Sequence, residues 1–327
     1  MRDGHDVEFI SANNENPASI YASSNKMITE TTSTNKIRSL ISKVLSLSLP
    51  DGRNFFRALG LWKKINRKDI DLTISIGLPF STHLMTALAV KTGKLQTKKL
   101  VADYGDPFSS NPSTLKPFYA KSLERWTLHV FDMIAIPTEN AIAAYKNVCP
   151  LEKIVVIPQG YNINQDFTSH YKKHSVPNFC FAGNLYKKIR NPKSFFDYLT
   201  NIEKEFQFHI YTDFQNTETI EILNEYREKL KNRLILHSQI PRQQCIKTLS
   251  EMDFLINFSN KSASQMPSKI IDYTLSSRPF INISQDQKTF EEFNQYLTGD
   301  FSEFLKPDIS QFDEKQISEQ FLRIYTN

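Results

Sequence analysis

A proline, a lysine and an aspartate within six residues mark the stretch of this chain best suited to chemistry. From Ser262 to Ser284 the sequence reads SASQMPSKIIDYTLSSRPFINIS. A polar loop runs into Pro267, a residue tolerated in the first turn of a helix because the N–H it lacks has no intrahelical partner there. The predicted helix, Ser268 to about Leu275, stops at Ser276-Ser277-Arg278-Pro279, and an apolar strand, Phe280 to Ile283, follows. Free N–H groups at a helix start make an anion site, and Lys269 adds a positive charge beside it. Asp272, about one turn further in, offers a carboxylate to sugar hydroxyls. Such a site holds a phosphate and a ribose together.

Elements that can position this segment are spaced along the whole chain. Apolar runs predict strands at Val7–Ser11, Leu72–Ile76, Leu100–Asp103, Met133–Ile136 and Ile154–Ile157. A second series is predicted at Phe179–Ala182, Phe206–Tyr211, Leu234–Leu236, Phe254–Phe258 and Phe280–Ile283. Helical patterns lie between them, at Leu115–Phe131, Pro192–Glu203, Thr217–Lys231 and Arg242–Ser250. Strands alternating with helices imply parallel sheets covered on both faces. Two series in 327 residues imply two doubly wound α/β domains, 1–165 and 166–327, joined within the apolar-poor stretch Gln159–Pro177. Ligands of open α/β sheets bind beyond the carboxyl ends of the strands, so a cleft between two such domains is expected.

Composition narrows the function classes. The chain is 40% hydrophobic, with 24 Phe and 13 Tyr, enough for two cores. Its net charge of +5 comes in small clusters rather than one long basic run. That suits phosphate ligands or an anionic membrane surface, and no nucleic-acid partner is expected. Cys149, Cys180 and Cys245 are odd in number and not at metal-ligand spacing, which points to a reducing compartment. With no signal sequence and no long apolar run, a cytoplasmic protein is expected, in reach of the inner face of the plasma membrane. The basic, aromatic segment Lys36–Lys64 carries Ile37, Leu40, Ile41, Val44 and Leu45 at one-face spacing. Core packing is the ordinary role of such a face, and docking on an anionic membrane is the other.

Two tempting patterns carry no weight. Asp69-Ile70-Asp71 has the spacing of carboxylates that hold a divalent ion on a diphosphate, but precedes its strand at the end away from the ligand face. No Gly-x-Gly-x-x-Gly follows a strand, which disfavours nicotinamide and flavin enzymes. No metal or other cofactor is expected.

With these elements in place, Ser262–Ser284 resembles the donor-binding loop and helix of retaining glycosyltransferases of the GT-B fold, particularly family 4. In that family a Glu-x7-Glu pattern spans loop and helix, and its second Glu commonly bonds the ribose of a nucleotide-sugar. Asp272 stands at the second position and Ser264 at the first, so the pattern is degraded. Gln265, Pro267, Ser268 and Lys269 keep the Gln-x-Pro-Ser-Lys form that looks like a subgroup of bacterial surface-polysaccharide transferases. Ile157-Pro158-Gln159-Gly160-Tyr161-Asn162 resembles the family's domain junction, with Gly160 expected at positive φ. Phe181-Ala182-Gly183-Asn184-Leu185 resembles its first C-terminal strand and Gly-Arg-Leu turn, with Asn184 where the family has Arg. A diphosphate is expected there on the Gly183 backbone and a cation, from Lys187, Lys188 or Arg190. Asp103-Tyr104-Gly105-Asp106-Pro107-Phe108 resembles the Asp-x-Arg-Asp-Pro-Trp element of related transferases. Asp106 either orients or deprotonates an acceptor hydroxyl or simply makes the turn before proline. His83, just past a strand at a helix start, either touches donor sugar or phosphate or is a buried helix residue.

The resemblance implies a metal-independent, retaining transferase that moves a sugar from a nucleotide-sugar to a glycan or lipid-linked acceptor in bacterial surface-polysaccharide assembly. Met1-Arg2-Asp3-Gly4-His5-Asp6-Val7 reads as a helix end and a strand start, so the family's first strand and helix are expected to be missing. A degenerate, non-catalytic scaffold and a GT-B-type nucleotide-sugar epimerase are the rival readings.

Overall fold

The computed structural model describes residues 4–11, 36–77, 79–111, 115–164, 167, 171–187, 191–258, 268–284 and 287–326. The chain divides into two compact units, Met1–Tyr161 with Glu314–Asn327, and Asn162–Asp313. The expected second domain runs to residue 327, but the C-terminal helix Glu314–Thr326 belongs with the first unit. Ile317 on that helix packs with Val101, Ala135 and Ile157, which gives one face of the first sheet its cover. Gly160 serves this return rather than a turn, because its φ is not positive. A Cβ there would lie 3.3 Å from Glu314 Cα, so its absence lets the helix close in.

In the first unit the helices α1 (Lys36–Ser48) and α2 (Asn54–Lys64) precede β1 (Arg67–Gly77), α3 (Ser81–Lys91) and β2 (Leu95–Tyr104). Then come α4 (Ala120–His129), β3 (Met133–Ile136), α5 (Ile142–Tyr145) and β4 (Ile154–Val156). The four strands are parallel in the order β1-β2-β3-β4. Alternation along β2 sends Leu100, Ala102 and Tyr104 into the core shared with α3, and Val101 to the C-terminal helix. The expected strand at Val7–Ser11 does not form. Residues 4–11 make no ladder; an ion pair from Glu8 to Arg67 and a bond from Lys64 Nζ to Ser11 O, 3.0 Å, tie them down. A strand needs a neighbour for its backbone groups, and among the described residues β1 pairs with β2 alone.

The second unit is built from β5 (Asn178–Ala182), α6 (Lys193–Thr200), β6 (Gln207–Thr212), α7 (Thr217–Leu230) and β7 (Leu234–Ser238). It continues with α8 (Arg242–Ser250), β8 (Phe254–Phe258), α9 (Ser268–Leu275), β9 (Phe280–Ile283) and α10 (Gln287–Thr298). All five strands are parallel, in the order β7-β6-β5-β8-β9. One face is a phenylalanine core in which Phe179 stacks on Phe208 and Phe254, each 4.8 Å away. On the other, Cys180 and Leu255 pack against Leu249 and Tyr273 of α8 and α9. Strand order reverses between β5 and β8, and the crevice beyond their carboxyl ends is where such sheets take ligands.

The turn joining α1 to α2 is locked to the rest of the first unit by one side chain. Asp51 holds a left-handed φ of 59°, and its Oδ2 accepts from both Ser81 N and Ser81 Oγ at 2.6 Å, capping α3. Asp51→Ala is therefore expected to cost about 1 kcal/mol and to lower the first unit's melting midpoint by about 2–4 °C. Asp51→Asn, which keeps a capping oxygen, should retain most of that stability. Circular dichroism melts of the two variants check it.

Candidate functional site

The first cluster grows from the carboxyl end of β5. Gly183 adopts φ +136°, and the place its Cβ would fill is taken by the Lys269 side chain, whose Cε lies 2.6 Å from that point. The Lys269 ammonium sits 4.1 Å above the Phe181 ring, a favourable cation–π contact. Tyr273 fixes this arrangement. Its hydroxyl donates to Ile256 O at 2.9 Å and accepts from Ala182 N at 3.4 Å, fastening α9 to β8 and β5. Lys269, one turn before Tyr273 on the same helix face, is thereby laid over Gly183.

Asp272 shares that face and meets Arg242 at the start of α8. Arg242 Nε donates to its Oδ1 at 2.8 Å, and the terminal guanidinium nitrogen lies 2.6 Å from the same oxygen. Burial pushes the Asp272 carboxyl up, while Arg242 and Lys269 oppose the rise. Arg242 has no warning in the sequence beyond its place after Pro241. Only the adjacency of α8 and α9 joins two residues thirty positions apart.

Two expected contributors have other duties. The Gly183 N–H donates to Tyr211 O at 2.7 Å, extending the ladder, so it does not face a diphosphate as expected. What Gly183 supplies is the gap for Lys269. Asn184 Oδ1 accepts from Thr212 Oγ1 at 2.9 Å and Asp213 N at 3.2 Å, bracing the turn against the end of β6. Lys187 pairs with Glu221 at 2.9 Å. Ser268 begins α9. Lys188, Arg190, Gln265 and Pro267, like Ser264, lie outside the described residues.

The first unit carries the second cluster, a cavity of about 530 Å³ at the carboxyl ends of β1 and β2. Asp106 lines it, as do Lys43, Gly77, Tyr104 and Lys116. Phe80 and Phe108 stack at 4.0 Å along its wall, and the Lys116 ammonium stands 4.1 Å over Phe108. Buried Glu124 holds the following turn by accepting from Phe108 N at 3.2 Å and Ser109 N at 3.0 Å. The Tyr104 hydroxyl is buried and has no hydrogen-bond partner among the described residues. Its neighbour Asp103, on the opposite face of β2, has its carboxyl pushed up to about 6 by burial. Aromatic walls with a few polar groups are the usual make-up of a sugar or small-ligand pocket.

His83 lies behind this cavity and does not line it. Its imidazole is completely buried, stacked 4.3 Å from Tyr104, and its Nδ1 bonds Ser75 Oγ at 2.9 Å. Gly77 permits this, because a Cβ there would lie 2.8 Å from His83 Cδ2. Asp69-Ile70-Asp71 falls within the start of β1 rather than before it. Asp71 pairs with Lys98 at 2.7 Å and accepts from Tyr325 Oη at 3.1 Å.

No protein-family model matches the sequence, nor does any curated protein sequence. Solved structures do match the fold. HepE of Anabaena, crystallised with UDP-glucose, superposes with a TM-score of 0.54 at 13% identity, over 78% of this chain and 78% of that one. The lipopolysaccharide outer core galactosyltransferase WaaB gives 0.53 at 14% identity, over 84% and 81%. A glycosyltransferase from Rickettsia africae gives 0.54 at 13%, over 91% and 83%. The chain thus has the GT-B fold, with two parallel α/β sheets, as its motifs implied.

The burial of His83 has a measurable consequence. Desolvation lowers its pKa from 6.5 to about 3, so the native state stays neutral where the unfolded chain takes a proton. Its share of stability is complete above pH 6.5 and is lost as pH falls toward 3, by at most about 1.4 kcal/mol per pH unit. In His83→Leu the pH dependence of urea midpoints below 6.5 should be shallower by about that slope, whatever the variant's overall stability. Equal slopes would show that the imidazole titrates normally in the fold.

Proposed function

We propose that this protein is a glycosyltransferase that moves a sugar from a nucleotide-sugar to a glycan or lipid-linked acceptor in the assembly of a bacterial surface polysaccharide. The observation that carries the reading is the Lys269 ammonium laid over Gly183 at the strand-order reversal of the second unit, with Asp272 on the same helix face. Lys269 and the N–H groups at the start of α9 meet the diphosphate, and Lys188 and Arg190 add charge from the loop after β5. Ser268 opens α9, and Gln265 and Pro267 precede it in the sequence. Asp272 accepts from the ribose hydroxyls, with Arg242 opposing the rise that burial gives its pKa. HepE, a structural neighbour, was crystallised with UDP-glucose, which supports a nucleotide-sugar donor.

The reaction breaks the bond between the sugar's anomeric carbon and the diphosphate oxygen and forms one to an acceptor oxygen, with retained configuration. Negative charge builds on the departing diphosphate, where fixed cations and helix-start amides stabilise it without reorganising. The acceptor binds in the first unit's cavity, its ring against Phe80 and Phe108 and its hydroxyl on Asp106, which takes up the proton. His83 acts from behind by setting the position of Tyr104 and Gly77. No metal ion is assigned a role, and the cytoplasm is the compartment that fits such a donor.

Thermal-shift titration with UDP, GDP, ADP and dTDP tests the donor half. A nucleotide at a hundred times its Kd stabilises by roughly 2.7 kcal/mol, a shift of several degrees. Asp272→Ala should abolish the shift. Gly183→Ala, which displaces Lys269, should weaken binding by about 10–100-fold, the worth of one charge-assisted contact. Affinity should also fall as pH drops through the raised Asp272 pKa, since the protonated carboxyl loses an acceptor. Absence of any shift in a folded sample would favour a degenerate scaffold. Conversion of a free nucleotide-sugar without acceptor, read by NMR, would indicate an epimerase.

A further inference from the structure

The cavity of the first unit holds a charge that the reading above does not use. Lys116 lines it with the ammonium 4.1 Å over the Phe108 ring, on which Phe80 stacks at 4.0 Å. Desolvation lowers the Lys116 pKa, so the ammonium has already lost part of its hydration. Asp51 and Glu124 oppose that fall, and both carboxylates are committed elsewhere. Asp51 caps α3 through Ser81 N and Oγ, and Glu124 accepts from Phe108 N and Ser109 N. Among the described residues Lys116 makes no ion pair, and neither does Lys43 of α1, which lines the same cavity. Tyr104 of β2 lines it too. Burial pushes its pKa up, so it keeps its proton, and its buried hydroxyl has no hydrogen-bond partner among the described residues. Lys43, Lys116 and Tyr104 thus bring two cations and a neutral donor to one cavity of about 530 Å³.

We propose that this cavity selects a sugar that carries an oxyanion, a phosphate or a carboxylate, whose negative charge Lys116 and Lys43 meet. That the sugar is the acceptor rests on the proposed function; the preference for an anion does not. A partly desolvated ammonium gains more from an oxyanion than from a ring, because a charge-assisted hydrogen bond replaces a contact with a quadrupole. The flexible four-carbon stem lets Lys116 leave Phe108 for such a ligand without moving the backbone. A neutral sugar would take further water from the lysine and return no charge to it. The acids that line the cavity do not cancel the preference. Asp51 sits at the start of α3, where the helix dipole offsets its charge. Asp106 is the group that meets the reacting hydroxyl in the reading above, not the oxyanion.

Calorimetric titration of the full chain with glucose 6-phosphate, glucuronate, glucose and inorganic phosphate tests this. One of the two anionic sugars should bind about 10–100-fold tighter than glucose, the worth of a hydrogen bond to a charged group. Tighter binding of glucose 6-phosphate would identify a phosphate, and of glucuronate a carboxylate; either result supports the proposal. Lys116→Ala should erase the preference and Lys116→Arg should keep it, while Lys43→Gln should weaken it by a smaller factor. In NMR spectra the ring-current shift of the Lys116 ε-protons over Phe108 should vanish with the anionic sugar and persist with glucose. Equal affinity for glucose and both anionic sugars, a preference that survives Lys116→Ala, or no binding of any probe would overturn the proposal. So would inorganic phosphate bound as tightly as glucose 6-phosphate, which would make the site one for a free ion. A nucleotide shift abolished by Lys116→Ala would overturn it as well, since the lysine would then serve the donor. Anion preference without any nucleotide shift removes only the donor reading, and a nucleotide shift without anion preference removes only this proposal.

Discussion

The contact between Lys269 and Gly183 is the constraint on which the second unit's site depends. A lysine ammonium near a strand end is ordinarily mobile and strongly hydrated. Here it occupies the space of an absent Cβ and rests on the Phe181 ring, held there by a helix that Tyr273 bolts to two strands. The cost of ordering the side chain is met in folding, so the charge is positioned before any ligand is present. Arg242 extends the same logic to Asp272, since burial raises that carboxyl's pKa and the neighbouring guanidinium opposes the rise.

The first unit uses a related device for a different end. Gly77, at the carboxyl end of β1, gives up its Cβ to the His83 ring, as Gly183 does to Lys269. There the result is a neutral, buried imidazole stacked under Tyr104 rather than a cation. The cavity in front is framed by the Phe80–Phe108 stack, and Glu124 fixes the turn that carries Phe108. In both units a parallel sheet exposes its strand ends, a glycine allows close approach, and a helix-borne side chain fills the vacated volume.

Much of the fold was legible because both hydrophobic periodicity and chain punctuation act locally. The runs at Leu100–Asp103 or Phe254–Phe258 are too apolar and too short for anything but strands of covered sheets, and they formed as such. Val7–Ser11 has the same local appearance and makes no strand, since pairing depends on a neighbour that its own residues do not specify. Gly160 likewise looked like a turn glycine, and its actual role depends on a helix more than 150 residues later.

The sequence by itself determined the alternation of strands and helices, two parallel sheets, and the placement of Gly183, Lys269 and Asp272 next to strand or helix ends, since composition and spacing act over a few residues. The tertiary structure alone decided which of these groups meet. It spent the Gly183 amide on Tyr211, put Lys269 in the gap at Gly183, gave Asp272 its partner Arg242, and sank His83 behind Gly77. It also left Ile41 and Val44 of α1 about half exposed, which periodicity could not decide. Burial, hydrogen-bond pairing and compensation of charge are properties of neighbours distant in the chain, and only packing assigns those neighbours.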